Sequence, residues 1–210
     1  NGIDITKNKC YLGGLFHVQD IASQTVVSIA SPQRDERVLD MCAAPGGKTF
    51  TMAQYMENSG EIIACDLYEK RVELIKKGAG RLGITNIQCM QNDATVYNEK
   101  LGKFDLVLCD VLCSGLGVIR RKPEIKYKDI SEYSDITTIQ SKILENAVLY
   151  VNEKGRILYS TCTLRKSENE DIIQRFLDKY PQYELKYQHT FMPHIDGSDG
   201  FYCALLQKSR

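Results

Sequence analysis

The chain has 210 residues, enough for one sizeable α/β core and too few for two comfortable domains. Hydrophobic residues make up 43% and charged residues 26%. That is an ordinary globular balance, and no apolar run has the length of a membrane-spanning helix. Lys and Arg number 27, as do Asp and Glu, so a nucleic-acid partner would have to be met by positive charge gathered locally.

After a polar opening, Ile21 to Ala30 reads as a helix that stops before Pro32. Arg37–Met41 reads as a strand, followed by a Gly-containing turn and a helix over Lys48–Glu57. Glu61–Cys65 is a strand, and Glu69–Leu82 a helix ending at Gly83. Ile87–Gln91 and Phe104–Cys109 are strands. A helix over Ile136–Val151, a turn at Gly155 and a strand over Arg156–Ser160 follow. Ser167–Lys179 is a helix whose capping box would pair Ser167 with Glu170. Tyr183–Tyr187 and Phe201–Lys208 close the chain as strands with no helix between them. This alternation predicts an α/β fold: a mostly parallel sheet, helices on both faces, and an antiparallel hairpin at the carboxyl-terminal edge.

In such sheets ligands bind at the carboxyl ends of the strands, near the switch in strand order. The first strand runs into Asp40-Met41-Cys42-Ala43-Ala44-Pro45-Gly46-Gly47-Lys48-Thr49, whose small residues let backbone approach a ligand closely. A dinucleotide fingerprint needs three glycines at a spacing this loop lacks. A phosphate-binding loop fits at Gly47-Lys48-Thr49, but its first glycine would fall on Cys42. S-adenosylmethionine is the third reading. It calls for an acidic residue after the second strand to bind the ribose hydroxyls, and Asp66 stands there. It calls for a polar residue after the third strand for the adenine edge, and Asp93 stands there. Asp110 follows the fourth strand. One such Asp is commonly a cap or turn former; three at successive strand ends point to the cofactor.

Eight cysteines do not make a disulfide scaffold here. Cys42, Cys65, Cys89, Cys109, Cys162 and Cys203 lie in or beside apolar stretches, where free thiols pack as small hydrophobes. No second Cys/His pair joins Cys109 and Cys113 in a zinc site, so no metal is expected. A reducing, cytoplasmic compartment is. Two thiols stand apart from the rest. Cys113, in Cys109-Asp110-Val111-Leu112-Cys113-Ser114-Gly115, and Cys162, in Tyr159-Ser160-Thr161-Cys162-Thr163-Leu164, follow the fourth and fifth strands on the edge that carries the cofactor loop. Carbon 5 of cytosine is too poor a nucleophile to attack a sulfonium methyl unaided. A thiolate adding to carbon 6 makes the ring enamine-like and overcomes that, which is covalent catalysis. A carboxyl at the Watson–Crick edge, Asp110, would stabilise the charge that builds up. The residues alone do not rank the two thiols. Arg120, Arg121, Lys122, Lys126 and Lys128, diluted by Glu124 and Asp129, supply a local positive run suited to RNA phosphates; alone it equally describes a solvated loop.

At these residues the sequence resembles the RNA cytosine-5 methyltransferases, above all the bacterial Sun/Fmu branch acting on small-subunit (16S) ribosomal RNA. The resemblance runs from about Gly14 to Lys208. It includes Val18-Gln19-Asp20 with Ser23, the run from Cys42 to Lys48, Asp110, Cys113-Ser114-Gly115, and Val118 to Pro123. Tyr159 to Cys162, Pro193-His194, Asp196-Gly197 and Asp199-Gly200-Phe201 complete it. It implies a Rossmann-like class I S-adenosylmethionine-dependent methyltransferase fold. It implies that Cys42, Ala43, Ala44, Pro45, Gly46, Gly47 and Lys48 line the cofactor site. Asp66 would hold the ribose with Arg71 near it, Asp93 would meet the adenine, and Asp110 would lie between methionine moiety and target base. It further implies that Cys162 is the nucleophile, that Cys113 assists release of the product, and that Arg120, Arg121 and Lys122 meet RNA. Where the family usually has Ala-Pro, this chain has Val111-Leu112, which removes a fixed backbone angle ahead of Cys113. Residues 1–35 are expected to be a lead-in, the end of a truncated RNA-binding region plus a helix, and 36–210 the catalytic domain. Alternatives at this level are a methyltransferase for transfer RNA or another substrate, and a ribosome-assembly factor that binds RNA and cofactor without turnover.

Overall fold

The structure, a computed structural model, describes residues 4–127 and 134–209; Lys128 and Asp129 of the basic run lie outside the described residues. Seven strands form one sheet: β1 (Arg37–Asp40), β2 (Glu61–Asp66), β3 (Ile87–Gln91), β4 (Phe104–Asp110), β5 (Val151–Thr161), β6 (Tyr183–Phe191) and β7 (Phe201–Lys208). Their order is β3-β2-β1-β4-β5-β7-β6. The first five pair in parallel, and β7 lies antiparallel between β5 and β6. Around them run α1 (Lys9–Leu12), α2 (Ile21–Ala30), α3 (Gly47–Tyr55), α4 (Glu69–Leu82), α5 (Ile136–Ala147), α6 (Glu170–Lys179) and α7 (Pro193–Asp196). The expected α/β class, the parallel sheet and the antiparallel closing strands are present, but β6 runs on past the expected Tyr187 and the one-turn helix α7 lies between β6 and β7 where no helix was expected. Among the described residues no helix is long and apolar enough to cross a membrane.

Successive strand residues point to opposite faces, and both faces here are covered. Leu39, Val107, Cys109, Ile157 and Tyr159 pack with Ile143, Leu144 and Ala147 of α5 and Ile172, Ile173 and Phe176 of α6. The alternate residues Val38, Leu106, Leu108 and Leu158 pack with Val26 and Val27 of α2, with Met52 of α3 and with Met56 just after it. Helix α2 is thus part of the core. Asp20 caps its first turn, accepting from Ala22 N–H at 2.9 Å. Arg156 reaches from β5 to close its last turn, donating to the carbonyls of Ala30 at 2.8 Å and Ser31 at 2.9 Å while paired with Glu36.

Two more expected elements differ. The helix over 136–151 ends at Ala147, and Val151 opens β5 by pairing with Phe104. Gly155 is not a turn: it lies inside β5, in a bulge between the Phe104–Val151 and Leu106–Arg156 pairs. A Cβ there would sit 2.9 Å from the Phe104 carbonyl oxygen. The second difference concerns the capping box. A 3-10 turn over Lys166–Glu168 precedes α6, whose first residue is Glu170. No side chain caps α6. Asn169 bonds instead to Thr161 and to the Thr163 carbonyl, and Glu170 accepts from Thr190. Tertiary bonds to the end of β5 outcompete the local cap.

Candidate active site

The chain leaves β1 outward to β2 and β3, then returns to place β4 on the other side of β1. Strand order therefore switches at the carboxyl ends of β1 and β4, where a crevice opens. A cleft of about 400 Å³ lies there, lined among others by Cys42, Ala44, Asp66, Arg71, Asp93 and Asp110, and by both Cys113 and Cys162. Residues from five loops thus converge on one space.

The loop after β1 divides that cleft from a second one of about 240 Å³. Cys42 and Ala44 line both, and Asp110 does too. Ala43, Pro45, Gly47 and Lys48 line the second cleft, together with Asp20, Ser23 and Arg121. Gly46 lines neither; it makes the turn into α3 at φ +110°, and a Cβ on it would strike the Phe50 ring at 2.3 Å. Asp66, 2% exposed, ends β2; its carboxylate accepts from Ala44 N–H at 3.3 Å and pairs with Arg71 at 3.3 Å. Arg71 also donates to the Ala44 carbonyl at 2.9 Å. Asp93 is exposed on the cleft wall, its side chain turned onto Thr95.

Asp110 is held from two sides. Lys48 Nζ contacts its Oδ2 at 2.7 Å and Ser160 Oγ donates to its Oδ1 at 2.7 Å. The Lys48 ammonium also lies 4.7 Å from the centre of the Phe201 ring. Behind this pair sits Asp40, fully buried, accepting from Thr49 Oγ1 at 2.7 Å. Burial pushes its carboxyl up to about 7. A folded-state pKa above the ordinary 3.9 means that the native state binds the extra proton between about pH 4 and pH 7. Stability therefore falls as pH rises through that window and is level above it. The ceiling on that loss is about 4 kcal/mol. Asp40→Asn keeps an acceptor for Thr49 and removes the charge. Its thermal midpoint at pH 8 should exceed that of the unsubstituted chain by several degrees, with the gain gone by pH 4. Equal midpoints at both pH values would mean that Asp40 carries no such burden.

The two singled-out thiols meet. Cys113 Sγ and Cys162 Sγ are 3.1 Å apart, and the Cys162 backbone N–H points to Cys113 Sγ at 3.3 Å. The Cys113 thiol is raised well above its usual value by donating to Cys162 and by burial. The Cys162 thiol is lowered, mainly by that same hydrogen bond with help from Lys48, against burial and the Asp110 charge. Either sulfur can donate across this contact; a proton on Cys113 raises its own thiol and lowers that of Cys162. Their loops are pinned together by Ser114 Oγ and Thr163 Oγ1 at 2.8 Å and by Gly117 N–H on the Cys162 carbonyl at 3.0 Å. Gly117 also passes so close to Gly200 that a Cβ would lie 1.9 Å from its carbonyl oxygen.

The basic run is exposed at Arg120, Arg121, Lys122 and Lys126. It has a partner that its own sequence does not show: Asp199, 2% exposed, faces Arg120 at 3.7 Å and pairs closely with Arg121. Sequence reasoning also passed over Glu168, Gln140 and Asp40. Gln140 left a signal, since it shares the apolar face of α5 with Ile136, Ile143, Leu144 and Ala147. Glu168, inside the acidic run Glu168-Asn169-Glu170-Asp171, reads as a solvated helix start and left none. Among the described residues no group of three or more His, Cys, Asp or Glu side chains could hold a metal ion.

A parallel sheet switching at β1/β4, an acidic residue ending β2 and a cleft over the glycine loop define a Rossmann-like class I S-adenosylmethionine-dependent methyltransferase fold. Residues 27–207 match the family described as 16S rRNA methyltransferase RsmB/F, and the chain belongs to that family. It is 36% identical to a probable ribosomal RNA small subunit methyltransferase B of Bacillus subtilis, covering 94% of this chain and 49% of the relative. It is 33% identical to a human 28S rRNA (cytosine(4447)-C(5))-methyltransferase, covering 94% of this chain and 28% of the relative. The crystal structure of NSun6 from Pyrococcus horikoshii with SFG superposes with a TM-score of 0.88 at 30% identity, over 98% of this chain and 56% of that one. The chain thus spans about half the length, or less, of these curated relatives.

Proposed function

We propose that this chain transfers a methyl group from S-adenosylmethionine to carbon 5 of a cytosine in RNA, with small-subunit ribosomal RNA as the substrate. The observation that carries the reading is the pair of thiols 3.1 Å apart beside Asp110, opening on a cleft sized for the cofactor. The residues of the cleft suit that cofactor: Asp66 offers a carboxylate to ribose hydroxyls, Arg71 stands beside it, and Asp93, whose Oδ1 accepts from Thr95, has Oδ2 left for an adenine edge. When bound, S-adenosylmethionine supplies an electrophilic methyl.

The chain's own groups do the rest. The Cys162 thiolate adds to carbon 6 of the base, forming a carbon–sulfur bond and placing electron density on carbon 5. Asp110, fixed by Lys48 and Ser160, steadies the Watson–Crick edge where charge develops. Carbon 5 takes the methyl, the carbon-5 proton leaves to a base, and the carbon–sulfur bond breaks to return the Cys162 thiolate. Cys113, 3.1 Å away, keeps its proton and donates a hydrogen bond to that leaving thiolate, which assists release. A base inside a stack cannot reach Cys162, so the target must be flipped out or unpaired. Arg120, Arg121 and Lys122 meet RNA phosphates, the two arginines keeping more than half of their surface exposed although paired with Asp199. A reducing cytoplasmic compartment fits a reaction that needs both thiols free.

Incubation with methyl-labelled cofactor and unmodified small-subunit RNA tests the reading. Label recovered as 5-methylcytosine is expected, falling as salt screens the phosphates. Label in another base, or in protein, would overturn it.

A further inference from the structure

Glu168 lies outside the reacting atoms, yet it is 0% exposed and its carboxylate is aimed at the Cys113 loop. Oε2 accepts from the Ser114 backbone N–H at 2.9 Å and from Gln140 Nε2 at 3.0 Å. The same Gln140 Nε2 donates to the Leu112 carbonyl at 2.9 Å. The residues immediately before and after Cys113 are therefore both tied to one buried carboxylate, one directly and one through an amide from α5. Oε1 has no hydrogen bond and faces Arg165 at 3.5 Å. The Glu168 carbonyl also accepts from Tyr159 Oη at 2.7 Å, which roots it to β5. Val111 N–H is bound to the Ser160 carbonyl, but Leu112 carries no ring to restrict its φ. Without the clamp the short arc from Leu112 to Ser114 would keep only the Ser114–Thr163 hydroxyl bond and the Cys162 N–H contact to Cys113 Sγ.

We propose that Glu168, acting with Gln140, is a positioning residue that holds the Cys113 thiol against Cys162. Burying a carboxylate is costly unless it is bonded; one of its two hydrogen bonds comes from Ser114, and the other from the amide that also holds Leu112. The proposal rests on the reading of Cys162 as the nucleophile. Its test needs neither RNA nor cofactor, so the two can fail separately.

The test is alkylation of the chain by iodoacetamide from pH 5.5 to 10, with the rate at Cys162 followed by peptide mass mapping. The unsubstituted chain should alkylate Cys162 with an apparent pKa below that of an ordinary thiol. Gln140→Met, of similar volume, and Glu168→Gln, which removes the charge, should each move that profile back toward ordinary values. The rate near pH 6.5 should fall roughly tenfold for each pKa unit moved, while the rate at pH 10 stays the same. Rescue should be graded: Glu168→Gln, which keeps one acceptor oxygen, shifts the profile less than Glu168→Leu. Thermal melting run alongside separates this from general unfolding, which would expose Cys162 and raise its rate at every pH. An unshifted profile in folded Gln140→Met or Glu168→Gln overturns the proposal, as does an ordinary Cys162 profile in the unsubstituted chain. If the profiles shift as stated while the RNA assay gives no 5-methylcytosine, the clamp stands and the functional reading falls.

Discussion

Cys162→Ala should lose methyl transfer by roughly 10³-fold or more, since the addition to carbon 6 has no other thiolate to perform it. Cys113 is a poor substitute. Its thiol is pushed upward by its bond to Cys162 and by burial, and the burial remains when Cys162 is lost. No covalent protein–RNA species should survive denaturing electrophoresis. Cofactor affinity, measured by calorimetry, should be nearly unchanged, because the contacts offered by Asp66, Arg71 and Asp93 are untouched. Activity persisting in Cys162→Ala would sink the thiolate mechanism and return both cysteines to packing roles.

The reverse outcome is expected for Cys113→Ala. Addition and methyl transfer remain possible because Cys162 and Asp110 stay in place, but the elimination step loses its neighbouring thiol. A protein–RNA adduct should build up to a large share of the enzyme and run as a shifted band. Its RNA should already carry the labelled methyl. Removing Cys113 also removes the hydrogen bond that lowers the Cys162 thiol, so adduct formation should be slowed most at low pH and recover as pH rises. Adduct in Cys162→Ala and none in Cys113→Ala would exchange the two roles.

The fold class was legible because both faces of the sheet are buried. Short apolar runs such as Leu106-Val107-Leu108 can only be central strands, and amphipathic segments such as Glu69–Leu82 can only cover them. What misled at Val151 and Gly155 was local composition: a Gly after a helix reads as a turn until the pairing of Val151 with Phe104 is known. The capping box at Ser167 failed for a similar reason. Its residues carry the right chemistry, but Asn169 has better partners at the end of β5. At the site, the loop from Cys42 to Lys48 looked like one cofactor-binding stretch. Folded, its residues line two adjoining clefts that share Cys42, Ala44 and Asp110, and Lys48 reaches Asp110.

By itself the sequence determined the residue types available for chemistry and the strand ends that carry them: Asp66, Asp93, Asp110, Cys113 and Cys162. Strand ends in a parallel sheet share one edge whatever the strand order, so that much follows from periodicity. Only the tertiary structure decided that the two thiols lie 3.1 Å apart, that Asp199 pairs with Arg120 and Arg121, and that Glu168 and Gln140 bond to the residues flanking Cys113. Those outcomes depend on hydrogen bonds and charge contacts of a few ångströms between segments from tens of residues to nearly 80 apart in the chain. Desolvation makes each buried polar group choose one partner, and no local pattern of residues records which partner that is.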